Sequence, residues 1–536
     1  MQKLLAIVKR HIESHPKFSE LFLLFLIFTI SLLIRRIGLK HGFPILTHAD
    51  ESAIIQPVLD MTRLHTLNPG NFNRPDQILY YLNFVYLNVV SFIKYGMNIY
   101  WAYEEHYLTF YFHSRLLISL LGSIIPIVAY KIGKEIFSKL ALPAALVFAS
   151  FPIYAEHALY ITPDIPTTLF TLLVIYFACK YIHSGQQKFI YLTAIFSAIN
   201  TAEKYPGLLS LAIPVTAIGI HILANCEKNS KIDIRKFLFL SGKVGLTFII
   251  SLFIVAPFLF IEYQSVIQAL ITESRSTHLG ADNLGWLGNM WFYIKTFYAN
   301  INVIGVLLFA IGAFALIKSW NKKYILLLYG GFYWIALSKL ALHWERWALP
   351  MFITPLFLIA LGISFLWEKS KQHRSVKLIG ILLVGIFIFQ QSVHTIYVPI
   401  RQKYTETRVV SKTYCDTNGI TKENSIYEGY TPLAPSAPKE IFVDYLIGTS
   451  NKEYILLSSS MYGRYFAESE RYQEYIRIYG EIRENNQIIK QYQPSPIATN
   501  TIGQIENIFY FLRFRFGLTD EIRYSGPTIK IYRITQ

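Results

Sequence analysis

The sequence predicts a polytopic α-helical membrane protein of about eleven spans, closed by a small C-terminal extracytoplasmic α/β domain. Three observations predict it. Of 536 residues, 53% are hydrophobic and only 16% are charged, where soluble domains carry about 25% charged residues. The apolar residues fall into a series of runs close to 20 residues long, the length that crosses a bilayer core. After about residue 398 these runs stop, and short strand-like and helix-like segments replace them.

Taken in order, the chain opens on a basic stretch (Lys3, Lys9, Arg10, Lys17) that runs into the apolar segment Leu21–Leu33. No small-residue cleavage site follows, so this reads as an uncleaved anchor. Spans are expected at 19–35, 113–133, 138–154, 165–182, 187–203, 206–224, 237–261, 296–317, 323–341, 347–367 and 376–394. The stretch 78–96 is apolar too, but carries Gln77, Asn83, Asn88, Ser91 and Lys94. Parity decides its status. The basic loops 131–139, 228–236 (with Lys228 and Lys231), 318–323 and 369–377 belong on the cytoplasmic side. With a cytoplasmic N-terminus, all four lie there only if 78–96 does not cross. It is therefore expected as an interfacial or re-entrant helix in a long first outer loop. Arg35, Arg36 and Lys40 then fall on the outer side, against the charge rule. Arg35 and Arg36 are expected to snorkel to the head groups or to hold an anionic lipid.

This divides the chain into a membrane domain, 1–398, and an outer soluble α/β domain, 399–536. Strands are expected at Ser425–Tyr427, Tyr454–Ser458 and Ile529–Ile534, and a helix at Glu468–Tyr479. The formal net charge is +16, but the lysines and arginines sit in short clusters between apolar runs. That pattern fits lipid head groups rather than nucleic acid. Cys179, Cys226 and Cys415 lie far apart in different environments and imply no disulfide framework. There is no P-loop, Rossmann fingerprint, Cys/His metal spacing or Gly-x-Ser-x-Gly elbow, which excludes the usual nucleotide-binding and serine-hydrolase sites.

The candidate chemistry gathers in the outer loops. Asp50 and Glu51, in Thr47-His48-Ala49-Asp50-Glu51, put two adjacent carboxylates at the edge of the first span. Thr47-x-x-Asp50 is also a capping-box pattern for a helix over Glu51–Thr62, and the two roles are compatible. Asp164, in Pro163-Asp164-Ile165-Pro166, opens a later span, where helix N-capping is the plainer role. Asp50 and Asp164 together form a pair of hard oxygen donors suited to a divalent cation. Lys204 lies in a very short outer turn where a charge is costly; the plainer reading pairs it with Glu203. Arg346, among Trp344 and Trp347, is either an interface anchor or a phosphate clamp. The loop 262–295 adds Arg275 and His278, with Gly280, Gly285 and Gly288 suggesting a substrate-gated loop. Arg74, in Arg74-Pro75-Asp76, either orients a phosphate or sits in a plain turn.

In order and common sidedness, these motifs resemble the GT-C superfamily of polytopic glycosyltransferases. The resemblance is to its branch of protein O-mannosyltransferases and lipid A aminoarabinose transferases (glycosyltransferase family 39-like). Asp50-Glu51 matches that family's first-loop acidic motif. Pro163-Asp164-Ile165-Pro166 matches its second Asp, Lys204-Tyr205 its Lys-Tyr turn, and Arg346 to Pro350 its late Arg-x-x-x-Pro segment. The family's Lys/His-Pro-Pro-Leu-Tyr-Tyr motif is only partly kept, as Arg74-Pro75-Asp76 and Leu79-Tyr80-Tyr81. The resemblance implies an inverting transferase in a prokaryotic inner or plasma membrane. Its donor is a polyprenyl-phosphate sugar and its acceptor an extracytoplasmic glycan, lipid or protein. Asp50 is the implied base. Lys204 and Arg346, with or without a divalent metal ion, stabilise the leaving phosphate. The competing reading is a lipid or glycan transporter or flippase, since intramembrane charges also mark substrate paths. Against it, the sequence has no internal repeat and its charges cluster on one side.

Overall fold

The computed structural model describes residues 16–225, 233–318, 320–371, 374–447 and 452–535. Lys3, Lys9, Arg10, Cys226, Lys228 and Lys231 lie outside the described residues.

The first part of the chain is helical. Its helices are α1 (Pro16–Arg36), α2 (Ser52–Arg63), α3 (Gln77–Tyr95), α4 (Ile99–Ile136), α5 (Ala141–Ala149), α6 (Pro152–His157), α7 (Asp164–Ser184), α8 (Gln187–Glu203), α9 (Ala212–Ala224), α10 (Ile234–Val255), α11 (Phe258–Ile261), α12 (Tyr263–Glu273), α13 (Gly285–Lys318), α14 (Tyr324–Leu327), α15 (Tyr329–Ser338), α16 (Ile353–Ser370) and α17 (Arg374–Arg401). Tight 3₁₀ turns at Tyr205–Leu211 and Glu345–Phe352 lead into α9 and α16. Helices α7 and α16 sit deep in the bundle, while α1 and α10 lie at its edge with apolar side chains turned outward. That outward apolar surface is what lipid covers in an integral membrane protein. Helix α4, at 38 residues, is about 57 Å long, well beyond a hydrocarbon core of about 30 Å. It bends at His106, so its first turns leave the bundle direction.

Among the described residues, nine helices are long and apolar enough to cross a membrane, fewer than the eleven spans expected. The three expected spans that fall short do so for local reasons. The run 138–154 stops at Ala149 because Phe151 is extended ahead of Pro152, and a residue before proline is pushed out of the helical region. Span 187–203 forms 17 helical residues. Span 323–341 is split into α14 and α15. Helix α3 passes on length and composition, yet both its ends touch one end of the bundle. Leu79 N donates to Glu203 Oε2 (2.9 Å), at the close of α8. Tyr95 stacks on His106 (3.9 Å between centroids) and its hydroxyl donates to Thr109 (3.0 Å), both in the first half of α4. Arg35 also departs from expectation. It is 0% exposed and its Nη1 donates to Ser31 O (3.0 Å); only Arg36 reaches the surface.

Helices α13 and α16 make the closest crossing. A Cβ on Gly312 would lie 1.7 Å from Leu358 O, and one on Gly362 would lie 2.2 Å from Leu308 O. Small residues let backbones approach where no hydrophobic drive separates helix from lipid.

Beyond Arg401 the chain forms β1 (Thr405–Glu406), α18 (Thr407–Thr417), β2 (Ser425–Tyr427), α19 (Phe442–Ile447), β3 (Tyr454–Ser458), α20 (Ser459–Ala467), α21 (Gln473–Asn485), β4 (Asn486–Tyr492), α22 (Thr501–Arg515), β5 (Tyr524–Ser525) and β6 (Ile529–Ile534). The main sheet has the order β2-β3-β6-β4, with β2 and β3 parallel and the rest antiparallel; β1 and β5 form a separate pair. The helix expected at Glu468–Tyr479 begins five residues later, because Glu468 (φ −120°) closes the preceding helix and Tyr472 (φ −118°) lies outside the helical region. Cys179 and Cys415 are buried free thiols.

One buried acid stands out in this domain. Glu428 accepts from Ser458 N and from the Tyr479 hydroxyl (2.8 Å), and burial pushes its carboxyl up to about 8. The folded form holds the proton that the unfolded form releases. Its contribution to stability is therefore complete below the ordinary glutamate range and falls as pH rises through about 8. Glu428→Gln should flatten that decline in thermal melts taken across the range. The Gly312 crossing makes a second prediction. Gly312→Val should cost about 1–3 kcal/mol through overpacking, read as a lower melting point in detergent. Gly245→Val, where a Cβ meets nothing within 4 Å, should leave it unchanged.

Candidate active site

The site is built on a buried ion pair. Arg115, on α4, donates through Nε to Glu51 Oε1 (2.8 Å) and through Nη2 to Oε2 (2.6 Å). Both side chains are 0% exposed. The remaining guanidinium nitrogen, Nη1, donates to the carbonyls of Leu39 (2.8 Å) and His41 (2.9 Å), and Ile161 N donates to Glu51 Oε1 (3.2 Å). Glu51 is thus spent on holding the loop after α1. No side-chain cap forms at the start of α2, so the capping box read from Thr47 and Asp50 is not made.

Asp50 faces the other way and is a quarter exposed. Arg346, from the turn before α16, contacts its Oδ2, and Arg74 Nη1 lies 3.5 Å from Oδ1. Burial pushes the Asp50 carboxyl up, but the charges of Arg346 and Arg74 outweigh it and hold the group well below the usual carboxylate range. His48 supports the loop from beneath: its Nδ1 accepts from Asp50 N (3.3 Å) and its ring stacks on Tyr160 (4.5 Å).

Asp164, in the first turn of α7, takes Lys204 Nζ at 2.6 Å. Lysine 204 therefore pairs with Asp164, not with Glu203, whose carboxylate caps α3 instead. Asp76 holds Arg74 by Nε (3.2 Å). It is left-handed at φ 44° and 1% exposed, and burial raises its carboxyl to about 6 against the charges of Arg74 and Lys204. Strain of this kind persists where neighbours over-determine a residue; here they are Arg74 on one side and Glu203 O, which accepts from Asp76 N (3.1 Å), on the other.

The structure gathers Asp50, Arg74, Asp164, Lys204 and Arg346 from separate segments, and sets Glu51 behind them. His278 is one step removed, its ring edge-on to Trp344 (5.0 Å), which in turn lies beneath Arg346. Arg275 is not in the site; it is half-exposed and nearest Glu273 (3.8 Å). The loop expected to gate is tied down. Gly280 N donates to Glu468 Oε1 (2.5 Å), Asp282 pairs with Arg471, and His343 N donates to Ala281 O (3.2 Å).

A divalent cation needs free carboxylate oxygens. Those of Asp50 face two arginines, and Asp164 Oδ1 is held by Lys204. Among the described residues, no three of His, Cys, Asp and Glu gather as metal ligands. The donor set does not fit the cation expected at Asp50 and Asp164. His157 was not foreseen. Its Nδ1 is buried without a partner, and burial lowers the imidazole to about 4 despite nearby Asp164, so it is neutral at pH 7. Beside the site lies an apolar cavity of about 780 Å³, lined by Trp291, Phe297, Trp334, Met351, Phe352 and Pro355. Met351 and Phe352 end the same turn that carries Arg346.

Acids and cations from separate segments of the chain thus meet at one place. Residues 111–261, which carry Arg115, Asp164 and Lys204, match the family model described as Dolichyl-phosphate-mannose-protein mannosyltransferase. No curated protein matches the chain. Three similar solved structures are ArnT from Cupriavidus metallidurans in the apo state, an Archaeoglobus fulgidus oligosaccharyltransferase with Zn and sulfate, and the same ArnT bound to undecaprenyl phosphate. The apo ArnT is 12% identical, with TM-score 0.49, covering 75% of this chain and 73% of that one. The oligosaccharyltransferase is 11% identical, with TM-score 0.48, covering 88% and 72%. The lipid-bound ArnT is 12% identical, with TM-score 0.45, covering 74% and 72%. No residue role is carried across from them.

Breaking a buried pair leaves a lone charge and costs about 3–5 kcal/mol. Arg115→Met should therefore abolish folded protein in membranes. Combining it with Glu51→Gln should recover much of the yield, measured by size-exclusion chromatography of a fluorescent fusion.

Proposed function

We propose that the chain transfers a sugar, with inversion, from a polyprenyl-phosphate donor to a hydroxyl of an extracytoplasmic glycan, lipid or protein acceptor. The observation that carries this reading is the convergence of Asp50, Arg74, Arg346, Asp164 and Lys204 beside a large apolar cavity. Three cations suit a phosphate, and the cavity suits its polyprenyl chain. The matched family's description names a dolichyl-phosphate sugar donor and so supports the same donor chemistry. The proposal includes a cytoplasmic N-terminus and an extracytoplasmic C-terminal domain, as charge parity implies.

The acceptor oxygen attacks the anomeric carbon opposite the phosphate. The C–O bond to phosphate breaks, and its electron pair stays on the phosphate oxygen. Arg74, Arg346 and Lys204 stabilise that charge as it develops. The hydroxyl proton passes to Asp50. In the resting state Asp50 is a weak base, because two arginines hold it. A bound phosphate competes for those arginines, and as they turn to it the basicity of Asp50 rises. Arg74 and Arg346 thus couple donor binding to base activation.

The test is transfer by reconstituted protein from a panel of labelled polyprenyl-phosphate sugars. Asp50→Asn should lower turnover by about 10²–10⁴-fold, the size of a general-base contribution, with protein yield unchanged. An Asn variant as active as the wild type would remove Asp50 from the reaction.

A further inference from the structure

The C-terminal domain carries one surface that water does not suit. Helix α22 packs its inner side against the ends of the first and last spans: Ile508, Phe511 and Tyr510 meet Ile37, Ile396, Ile400 and Tyr404. The Tyr404 hydroxyl donates to Asn507 Oδ1 (2.6 Å), which fixes the helix beside α17. Its other side is bare. Ile502 is 72% exposed, Phe509 61% and Phe516 73%, with Leu512, Phe514 and Leu518 also exposed. Such a stripe is rare on a soluble surface. The two spans it packs against also carry exposed apolar side chains, Phe25 and Leu33 on α1 and Ile386 and Phe389 on α17.

Cations frame this stripe. Arg513 and Arg515 close the last turn of α22. Arg36, Lys40 and Lys403 are exposed at the ends of the two spans. Lys403 lies close enough to Lys40 and Arg515 for their charges to act on it, after burial, in lowering its ammonium. None of these five forms an ion pair among the described residues. Glu506 is the acid on this face, two turns before Arg513, so the cationic end is the C-terminal one.

We propose that α22 lies in the membrane interface as a lipid-seated strut, its Phe509–Phe516 stripe among acyl chains and Arg513, Arg515, Lys403, Lys40 and Arg36 on the phosphates of anionic lipids. Apolar and basic faces together are the composition of an in-plane interfacial helix. The five unpaired cations on the outer side, which break the charge rule for topology, find their counter-charge in the leaflet. The lipid surface thereby fixes the C-terminal domain against the bundle, independently of what reaction the site performs.

The test uses the full chain in vesicles of equal phosphatidylcholine and phosphatidylglycerol, with photoreactive p-benzoylphenylalanine in place of Phe516. After irradiation, mass spectrometry of the chain reads what was captured. The expected result is lipid adducts, with phosphatidylglycerol favoured about fivefold or more. Arg513→Gln with Arg515→Gln should pull that ratio toward one while lipid capture continues. Lys403→Gln, on the adjoining segment, should lower it in part. No lipid adduct, adducts without headgroup preference, or capture of a second copy of the chain would each overturn the proposal.

Discussion

The Glu51–Arg115 pair is the constraint on which the site's geometry rests. Inside a membrane protein neither charge has water to fall back on, so each must find the other or stay neutral. Arg115 spends its planar fork on one carboxylate and its remaining nitrogen on two backbone carbonyls, Leu39 and His41. Glu51 takes Ile161 N as well. The loop after α1, helix α4 and the approach to α7 are thereby locked at one point. Asp50, the next residue, has no freedom left except to face outward, where Arg346 and Arg74 reach it.

A second set of ties comes from the C-terminal domain and reaches both flanks of the site. Arg408 is oriented by Glu406 (Nε to Oε2, 2.9 Å) and donates through Nη1 to Thr47 O (2.9 Å), three residues before Asp50. On the other flank, Glu468 and Arg471 hold Gly280 and Asp282, and Ala281 in turn accepts from His343 N. His343 stands three residues before Arg346. The segment after Arg401 is therefore part of the frame that sets the Asp50–Arg346 contact.

The helical class and the strands Ser425–Tyr427, Tyr454–Ser458 and Ile529–Ile534 were legible because each carries a strong apolar pattern. Strand β4 was not, since Asn486–Tyr492 is a largely exposed edge with polar residues along it. Among site residues, Asp50, Asp164, Lys204 and Arg346 were legible as charges at span edges. Arg115 carried the same signal, a cation inside the apolar run 113–133, but its partner Glu51 lies 64 residues away and no local pattern joins the two. The roles of His157 and Asp76 had no local signal: Asp76 depends on Glu203 and Lys204, 127 and 128 residues further on, and His157 on His48, 109 residues before it, as well as on nearby Asp164. Pairings of that range follow from packing, and no local rule anticipates that Lys204 prefers Asp164 to its own neighbour.

The charges of the site can be followed through the proposed reaction. Asp50, Asp76 and Asp164 face Arg74, Arg346 and Lys204, three acids set against three cations. In the proposed reaction the donor enters as a phosphodiester with one negative charge. It leaves as a monoester that carries a second one. The acceptor proton released in the same step stays within the cluster on Asp50, so the total charge does not change while the site is closed to water. In a low-dielectric setting, where each uncompensated charge is expensive, that equality matters more than the strength of any single contact. The arginines need only pass from carboxylate to phosphate as the proton arrives, while Lys204, held by Asp164, presents its charge to the same phosphate.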